Sequence, residues 1–510
     1  VIGYRRGLEG EDAMTARTAA TRGRRLPAAA LLVAAACMAP AGAAAELTAT
    51  PDTPFGWRGD GSGRFGDATP VTEWSQTKNV LWRTPMPDRT NSQPVLAGEV
   101  LFTCAEPTTL LCLRRADGEI LWQRAHDYVD LLPPAEKERA QKELLAAERI
   151  RKIELAPVLS KLQEVNRRLN AMPDDPFLRR QRESLKRQRD AVEKKLTAFE
   201  EHRNPKGDPL LGLSNCTPVT DGEGVFCLFG NGVGAVYDLK GSRRWLRLIR
   251  RPGLAMGHSM SPVLGGRALV MSIDKEILAV DATTGRELWT VGTYRPSAGL
   301  AAAKVGRQAM VVTSEGSVIR AADGKIVARV VGAAQAPTAA PVIRNDVLYL
   351  LGAKQQLLIE LLSPNDEAGV RLERLAAGER SFLGVYYASP LYHDGCVYLW
   401  EKSNVLSVVA AKSGRRLVAK QLRLGGTAFA SPTLGGGCIF VGSDNGTMAV
   451  LKPMAVRSAG GKYRLELDEV ARNVLEPGRS PPVFAGRHMY VRTNKHMYCI
   501  GAKEGSPGTR

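Results

Sequence analysis

The chain has 510 residues, 70 Lys and Arg against 52 Asp and Glu, a formal net charge of +18 and 44% hydrophobic residues. This length allows three ordinary domains and the apolar content supplies an ample core. The basic balance admits nucleic acid, anionic lipid or an acidic polymer as partner, but no Arg-rich or base-stacking pattern selects nucleic acid, and none is expected. Without residues 1–45 the charge is still +15, from 64 basic and 49 acidic residues.

The amino end reads as an address. Arg22, Arg24 and Arg25 precede an apolar stretch from Leu26 to Ala39, and Ala41-Gly42-Ala43-Ala44-Ala45 offers A-x-A cleavage before Glu46. This predicts a bacterial secretory signal over 1–45 and a periplasmic or secreted protein. Met14 stands just before the basic region, so 1–13 reads as an over-extended start. Cys37, after Ala34-Ala35-Ala36, is the alternative: a lipid-acceptor cysteine, with its bulky aliphatic residue, Val33, one place too far upstream. Membrane attachment is expected only through a lipidated Cys37.

From residue 80 onward one phrase recurs: a Pro motif, a hydrophobic run near a Gly, a second run, and often an Asp-x-x-x-Gly turn reaching a Trp. Its clearest copy is Ser261-Pro262-Val263, Leu269-Val270-Met271, Ile277-Leu278-Ala279-Val280-Asp281, Gly285 and Trp289. Others start at Pro94, Pro218, Pro341, Pro390, Pro432 and Pro482, and a degenerate copy without proline runs from Leu300 to Gly324. Eight copies of several strands at a period of roughly 40 to 50 residues predict an all-β fold, an eight-bladed β-propeller of four-stranded antiparallel blades. Each Trp a few residues after an Asp/Gly turn (Trp122, Trp245, Trp289) is predicted to fill the gap between adjacent blades.

Between Trp122 and Cys216 the rhythm stops. Leu155, Val158, Leu162, Val165 and Leu169, and then Val192, Leu196 and Phe199, are spaced three and four apart around Met172-Pro173-Asp174-Asp175-Pro176. This predicts an α-helical hairpin inserted in the first blade, with Pro157 kinking or restarting its first helix. The hairpin is either a brace on the toroid or an arm of roughly 40 Å meeting another protein, and the scarcity of long apolar runs favours the arm. The predicted organisation is the signal (1–45), a closing strand and first blade (46–132), the hairpin (133–203), the remaining blades (204–502) and a disordered tail (503–510).

Cys104 with Cys112, and Cys216 with Cys227, are near neighbours within a blade, so each pair is either a cross-hairpin disulfide or two small buried hydrophobes. Cys-x-x-Cys, His-Glu-x-x-His and Gly-x-Ser-x-Gly are absent from the sequence, leaving zinc-ribbon, c-type haem, zincin and nucleophile-elbow chemistry unsupported. Gly230-x-Gly232-x-Gly234 reads as a β-turn, since no helix follows.

Trp57-Arg58-Gly59-Asp60-Gly61, Trp74, Asn79-Val80-Leu81-Trp82-Arg83-Thr84-Pro85-Met86-Pro87 and Gln93-Pro94-Val95 resemble the opening of bacterial PQQ-like β-propeller repeat proteins. The repeat, with its Asp-x-x-x-Gly-x-x-x-Trp ending, resembles that of the quinoprotein alcohol dehydrogenase-like superfamily, shared with BamB-like outer-membrane assembly factors. The resemblance covers about 55–125 and 210–500. It implies that the strand around Val80-Leu81-Trp82 joins the last blade and closes the ring. It also defines what a quinoprotein dehydrogenase would need: a vicinal Cys-Cys pair, a Trp under the quinone and a Glu/Asn/Asp set around calcium. The sequence has no Cys-Cys pair and no matching ligand set, so no enzyme activity and no cofactor, neither PQQ nor calcium, is expected.

The inner strands start at the Pro motifs, so the residues just before them are expected to line the mouth of the central funnel: Asn91, Asn215, His258, Tyr386, Tyr387, Phe429 and Arg479. This mixed polar and aromatic ring suits a peptide, a glycan or a small anion. The expected function is a non-enzymatic envelope scaffold that binds protein partners through the propeller rim or the helical arm, in the manner of BamB-like assembly. The alternatives are a divergent quinone-dependent oxidoreductase and a glycan-binding propeller.

Overall fold

The computed structural model describes residues 49–50, 53–253, 257–293, 299–333, 339–352, 356–365, 369–378, 387–457 and 463–503. The signal segment, Cys37, Tyr386 and the tail after Lys503 lie outside the described residues. Eight antiparallel sheets follow one another along the chain, at 95–125, 219–248, 263–292, 300–329, 342–377, 391–421, 433–474 and 483–500. Within the first seven, the blade strands pair in chain order, from a buried inner strand such as Val95–Ala97 to a largely exposed outer one such as Ile120–Ala125. The degenerate repeat builds a full sheet, Leu300–Val305 to Ile326–Arg329. The fold is an eight-bladed β-propeller.

The ring closes with strands from opposite ends of the chain. Val80–Pro85 lies antiparallel to His496–Ile500, with Trp82 opposite Cys499, and supplies the fourth strand of blade 8. A second amino-terminal piece, Arg64–Phe65, runs parallel to the inner strand Thr433–Gly435 of blade 7. Both pairings cover strand edges that would otherwise stay open.

In blades 1 to 3 the phrase ends in a Trp that locks one blade to the next. Trp122 Nε1 donates to Leu239 O at 3.1 Å, Trp245 to Ala282 O at 3.0 Å and Trp289 to Ala321 O at 2.9 Å. Each ring lies over the glycine of the turn before the outer strand of the next blade (Gly241, Gly285, Gly324), where an added Cβ would stand 2.7 to 2.9 Å from the indole. The glycines are therefore needed twice: their φ is positive, and a side chain would occupy the ring's place. Trp82 repeats the lock across the closure, donating to Arg115 O at 2.9 Å and lying over Gly118.

Between blades 1 and 2, His126 is fully enclosed. Its Nδ1–H donates to Thr108 O at 2.9 Å, so Nε2 accepts from the Tyr237 hydroxyl at 3.0 Å. Burial pulls its pKa down to about 4, against the smaller upward pulls of its hydrogen bond to the Thr108 carbonyl and of Asp130. The folded chain then resists protonation that the unfolded chain accepts near 6.5. Stability is full above pH 6.5 and falls between 6.5 and about 4, by on the order of 3 kcal/mol. Urea midpoints measured from pH 7 to pH 4.5 should drop for the wild type and fall less for His126→Gln; parallel pH profiles would refute this.

The insertion is longer than the apolar spacing predicts. Helix α1 (Pro134–Ile150) continues through a π-helical turn, Arg151–Leu155, into α2 (Ala156–Ala171), and α3 (Pro176–Leu196) returns antiparallel. Pro157 sits in the first turn of α2, so the wide turn accommodates its missing donor and the chain continues without a break. Asp175 caps α3, accepting from the backbone N–H of Phe177 and Leu178. Leu162, Val165, Leu169, Leu178 and Leu185 form a cluster made only of hairpin residues, as do Ala147, Val192 and Leu196. The hairpin carries its own core and needs no blade to bury its apolar face.

All seven described cysteines are free, six of them buried. The disulfide alternative is corrected by register: Cys112 pairs with Phe102 and Cys104 with Leu110, one pleat apart and not opposite each other. Cys216 instead directs its thiol at the His258 and Met260 carbonyls, 3.4 and 3.3 Å away. Burial raises the thiol pKa values, to about 12 for Cys104 and Cys112, so these groups behave as small apolar side chains.

Candidate functional site

Side chains alternate along an extended chain, so position relative to the proline decides which ones reach the axis. The residues three before Pro94, Pro218, Pro262, Pro390, Pro432 and Pro482 are Asn91, Asn215, Ser259, Tyr387, Phe429 and Arg479. All six line one cavity of about 320 Å³, together with Trp57, Leu210, Leu211, Met260 and Leu300. His258 stands four before its proline and corrects the expectation. Its side chain is turned away from the cavity and fully buried, with Nε2 donating to Arg250 O at 3.1 Å and Nδ1 3.9 Å from Asp274. Gly257, at φ +65°, sets this turn, and Ser259 holds the lining position. Tyr386 shares the His258 register and is not described.

The ring has two unlike walls. On the side of blades 1 to 3, Asn91 Nδ2 donates to Leu210 O at 3.0 Å and to Asn215 Oδ1 at 3.0 Å, while Asn215 Nδ2 donates to Ser259 O at 2.5 Å. These amides are satisfied by the protein itself. On the side of blades 6 to 8, Tyr387 and Phe429 stack at 5.0 Å and 16°. Lys402 Nζ lies 5.6 Å from the Tyr387 ring centre, and the Arg479 guanidinium 4.8 Å from that of Phe429. The cations cap the aromatic pair at both ends.

A lid and a floor complete the site. The lid, Leu210–Leu211, belongs to the connection that leads from the helical insertion into blade 2. Arg479 Nη1 donates to Leu210 O at 2.9 Å. Glu106 clamps the lid's carboxyl side, accepting from Leu213 N–H and Ser214 N–H, each at 2.9 Å, and from Ser214 Oγ at 2.6 Å. The floor is the amino-terminal segment, which bridges Phe55 to Thr220 in blade 2 and Arg64 to Leu434 in blade 7. Between them Arg58 is 1% exposed. Its guanidinium donates to Pro390 O at 2.7 Å, Ser62 O at 3.1 Å and Pro432 O at 3.3 Å, and its backbone N–H to Gln93 Oε1 at 2.6 Å. Burial pulls the Arg58 pKa down to about 9. The segment plugs the channel by binding the carbonyls of the repeated proline motifs.

Residues 273–507 match the family model described as outer membrane protein assembly factor BamB. Over this stretch, just under half of the chain, the sequence is similar to the PQQ-like repeat proteins. Among curated proteins no sequence matches it. BamB from Moraxella catarrhalis superposes with a TM-score of 0.49 at 12% identity, over 84% of this chain and 99% of that one. Quinohemoprotein alcohol dehydrogenase from Comamonas testosteroni gives 0.47 at 10% identity, over 90% and 82%. The computationally designed Ika8 protein gives 0.48 at 11%, over 83% and 100%.

In this propeller the titratable groups among the described lining residues are Tyr387 and Arg479. The site offers stacking, apolar contact and a cation. Trp57 and Arg58 stand out in the sequence only through the family resemblance, and Leu210, Leu211 and Lys402 carry no signal there.

Proposed function

We propose that this PQQ-like propeller is a non-enzymatic scaffold of the cell envelope that grips a protein partner at its funnel mouth. The observation that carries the reading is the mouth itself: a lidded, plugged cavity with one wall of stacked aromatics capped by cations and no carboxylate, imidazole or thiol among its described lining residues. Stacked aromatics beside an arginine are the side chains that anchor partners at interfaces. The match to the BamB family model supports a role in envelope-protein assembly, and the signal-like sequence of residues 1–45 supports the periplasm. Among the described lining residues there is no carboxylate to serve as the base of a quinone-dependent oxidation.

Capture from envelope extract tests it. The wild-type chain should retain a defined partner that Tyr387→Ala/Phe429→Ala loses by more than tenfold, with the urea midpoint little changed. Retention by the double variant removes the funnel mouth from the function. Saturable binding of PQQ with calcium, accompanied by dye-linked alcohol oxidation, would overturn the non-enzymatic reading.

A further inference from the structure

The helical arm presents a surface that the funnel reading does not use. Leu178, Leu185 and Val192 turn inward from α3, and the outward face carries Phe177, Arg180, Ser184, Arg187, Ala191 and Lys194, all exposed. Arg180, Arg187 and Lys194 recur every seven residues, so they form one file, with about 10 Å between successive cations. None of the three has a hydrogen-bond or ion-pair partner among the described residues. The α3 acids are engaged off this file: Glu183 pairs with Arg182 and Lys186, and Asp190 and Glu193 pair with Arg189. At the apex, Phe177 is 69% exposed and Met172 47%.

We propose that this face of the arm docks on an anionic lipid surface, independently of Cys37. Three unpaired cations in a straight file, separated by small side chains, match a flat field of negative headgroups and need no shape complementarity. A protruding Phe and Met at the apex supply the shallow apolar insertion with which interfacial helices anchor. Among the described residues no helix is long and apolar enough to cross a membrane, so the contact is peripheral. Each file cation adds roughly a fivefold gain in affinity for an anionic bilayer, and salt removes it.

The experiment is vesicle flotation with the full chain carrying Cys37→Ser, which blocks lipid attachment. The protein should float with phosphatidylglycerol vesicles, remain behind with phosphatidylcholine vesicles, and be released by 0.5 M salt, a concentration at which the Debye length is only about 4 Å. Arg180→Gln/Arg187→Gln/Lys194→Gln should weaken binding on the order of a hundredfold. Lys240→Gln/Lys412→Gln/Arg487→Gln removes as much charge from the exposed propeller surface and should bind as the parent does. Helical circular dichroism confirms that both variants are folded. Failure to float with phosphatidylglycerol, equal flotation of the arm variant, or equal loss in the propeller variant overturns the proposal. So does capture on heparin or polyglutamate without vesicle binding, which would assign the file to a soluble polyanion. None of these outcomes touches the funnel reading, whose variants lie at Tyr387 and Phe429.

Discussion

Trp245→Ala should lower the unfolding free energy by about 4 kcal/mol. The indole is buried between blades 2 and 3, donates to Ala282 O at 3.0 Å and lies on Gly285, so truncation opens a cavity and strands a carbonyl. Gly285→Ala attacks the same contact from the other side. Its φ of +68° and a Cβ 2.8 Å from the indole should cost about 2 to 3 kcal/mol. The double variant decides whether the two are one lock: with the ring gone the new methyl has room, so the combined loss should fall at least 1 kcal/mol short of the sum. Additive losses in urea titrations would show that Trp245 and Gly285 stabilise the ring separately.

Arg58→Met should release the plug. Methionine keeps the apolar stem but leaves the Pro390 and Pro432 carbonyls without their charged donor, at a cost of about 3 kcal/mol. The loss should be local, because the closing strand Val80–Pro85 keeps its own ladder with His496–Ile500. Chymotrypsin should therefore cut at Phe55, Trp57 or Phe65 in the variant well before it cuts within the blades, and leave these sites intact in the wild type. Unchanged resistance at these three positions would mean that the strand pairings at Thr220 and Leu434 hold the plug without Arg58.

The blades are legible because they are written locally, mostly in a proline and two apolar runs within about 40 residues, and the locks of blades 1 to 3 in a glycine turn and a Trp. The mouth is legible only as far as its register. Asn91, Asn215, Tyr387, Phe429 and Arg479 follow from counting three residues back from a proline, and the same count replaces His258 with Ser259. The plug and the lid are not legible by such counting. Arg58 is defined by carbonyls more than 300 residues away, and Leu210 by a bond to Arg479, 269 residues further along the chain. The unbridged cysteines show the same limit, since proximity in a hairpin does not fix which pleat a thiol occupies.

Closure between Val80–Pro85 and His496–Ile500 also sets a clock. The first of these strands leaves the ribosome about 400 residues before its partner, an interval of roughly 20 to 80 s at 5–20 residues per second. Until then blade 8 lacks its inner strands, the indole of Trp82 has no closed ring to lock, and both ends of the growing toroid expose unpaired backbone. A chain stopped anywhere before Val483 keeps those edges permanently, so truncation near the carboxyl end marks the whole molecule as unfinished.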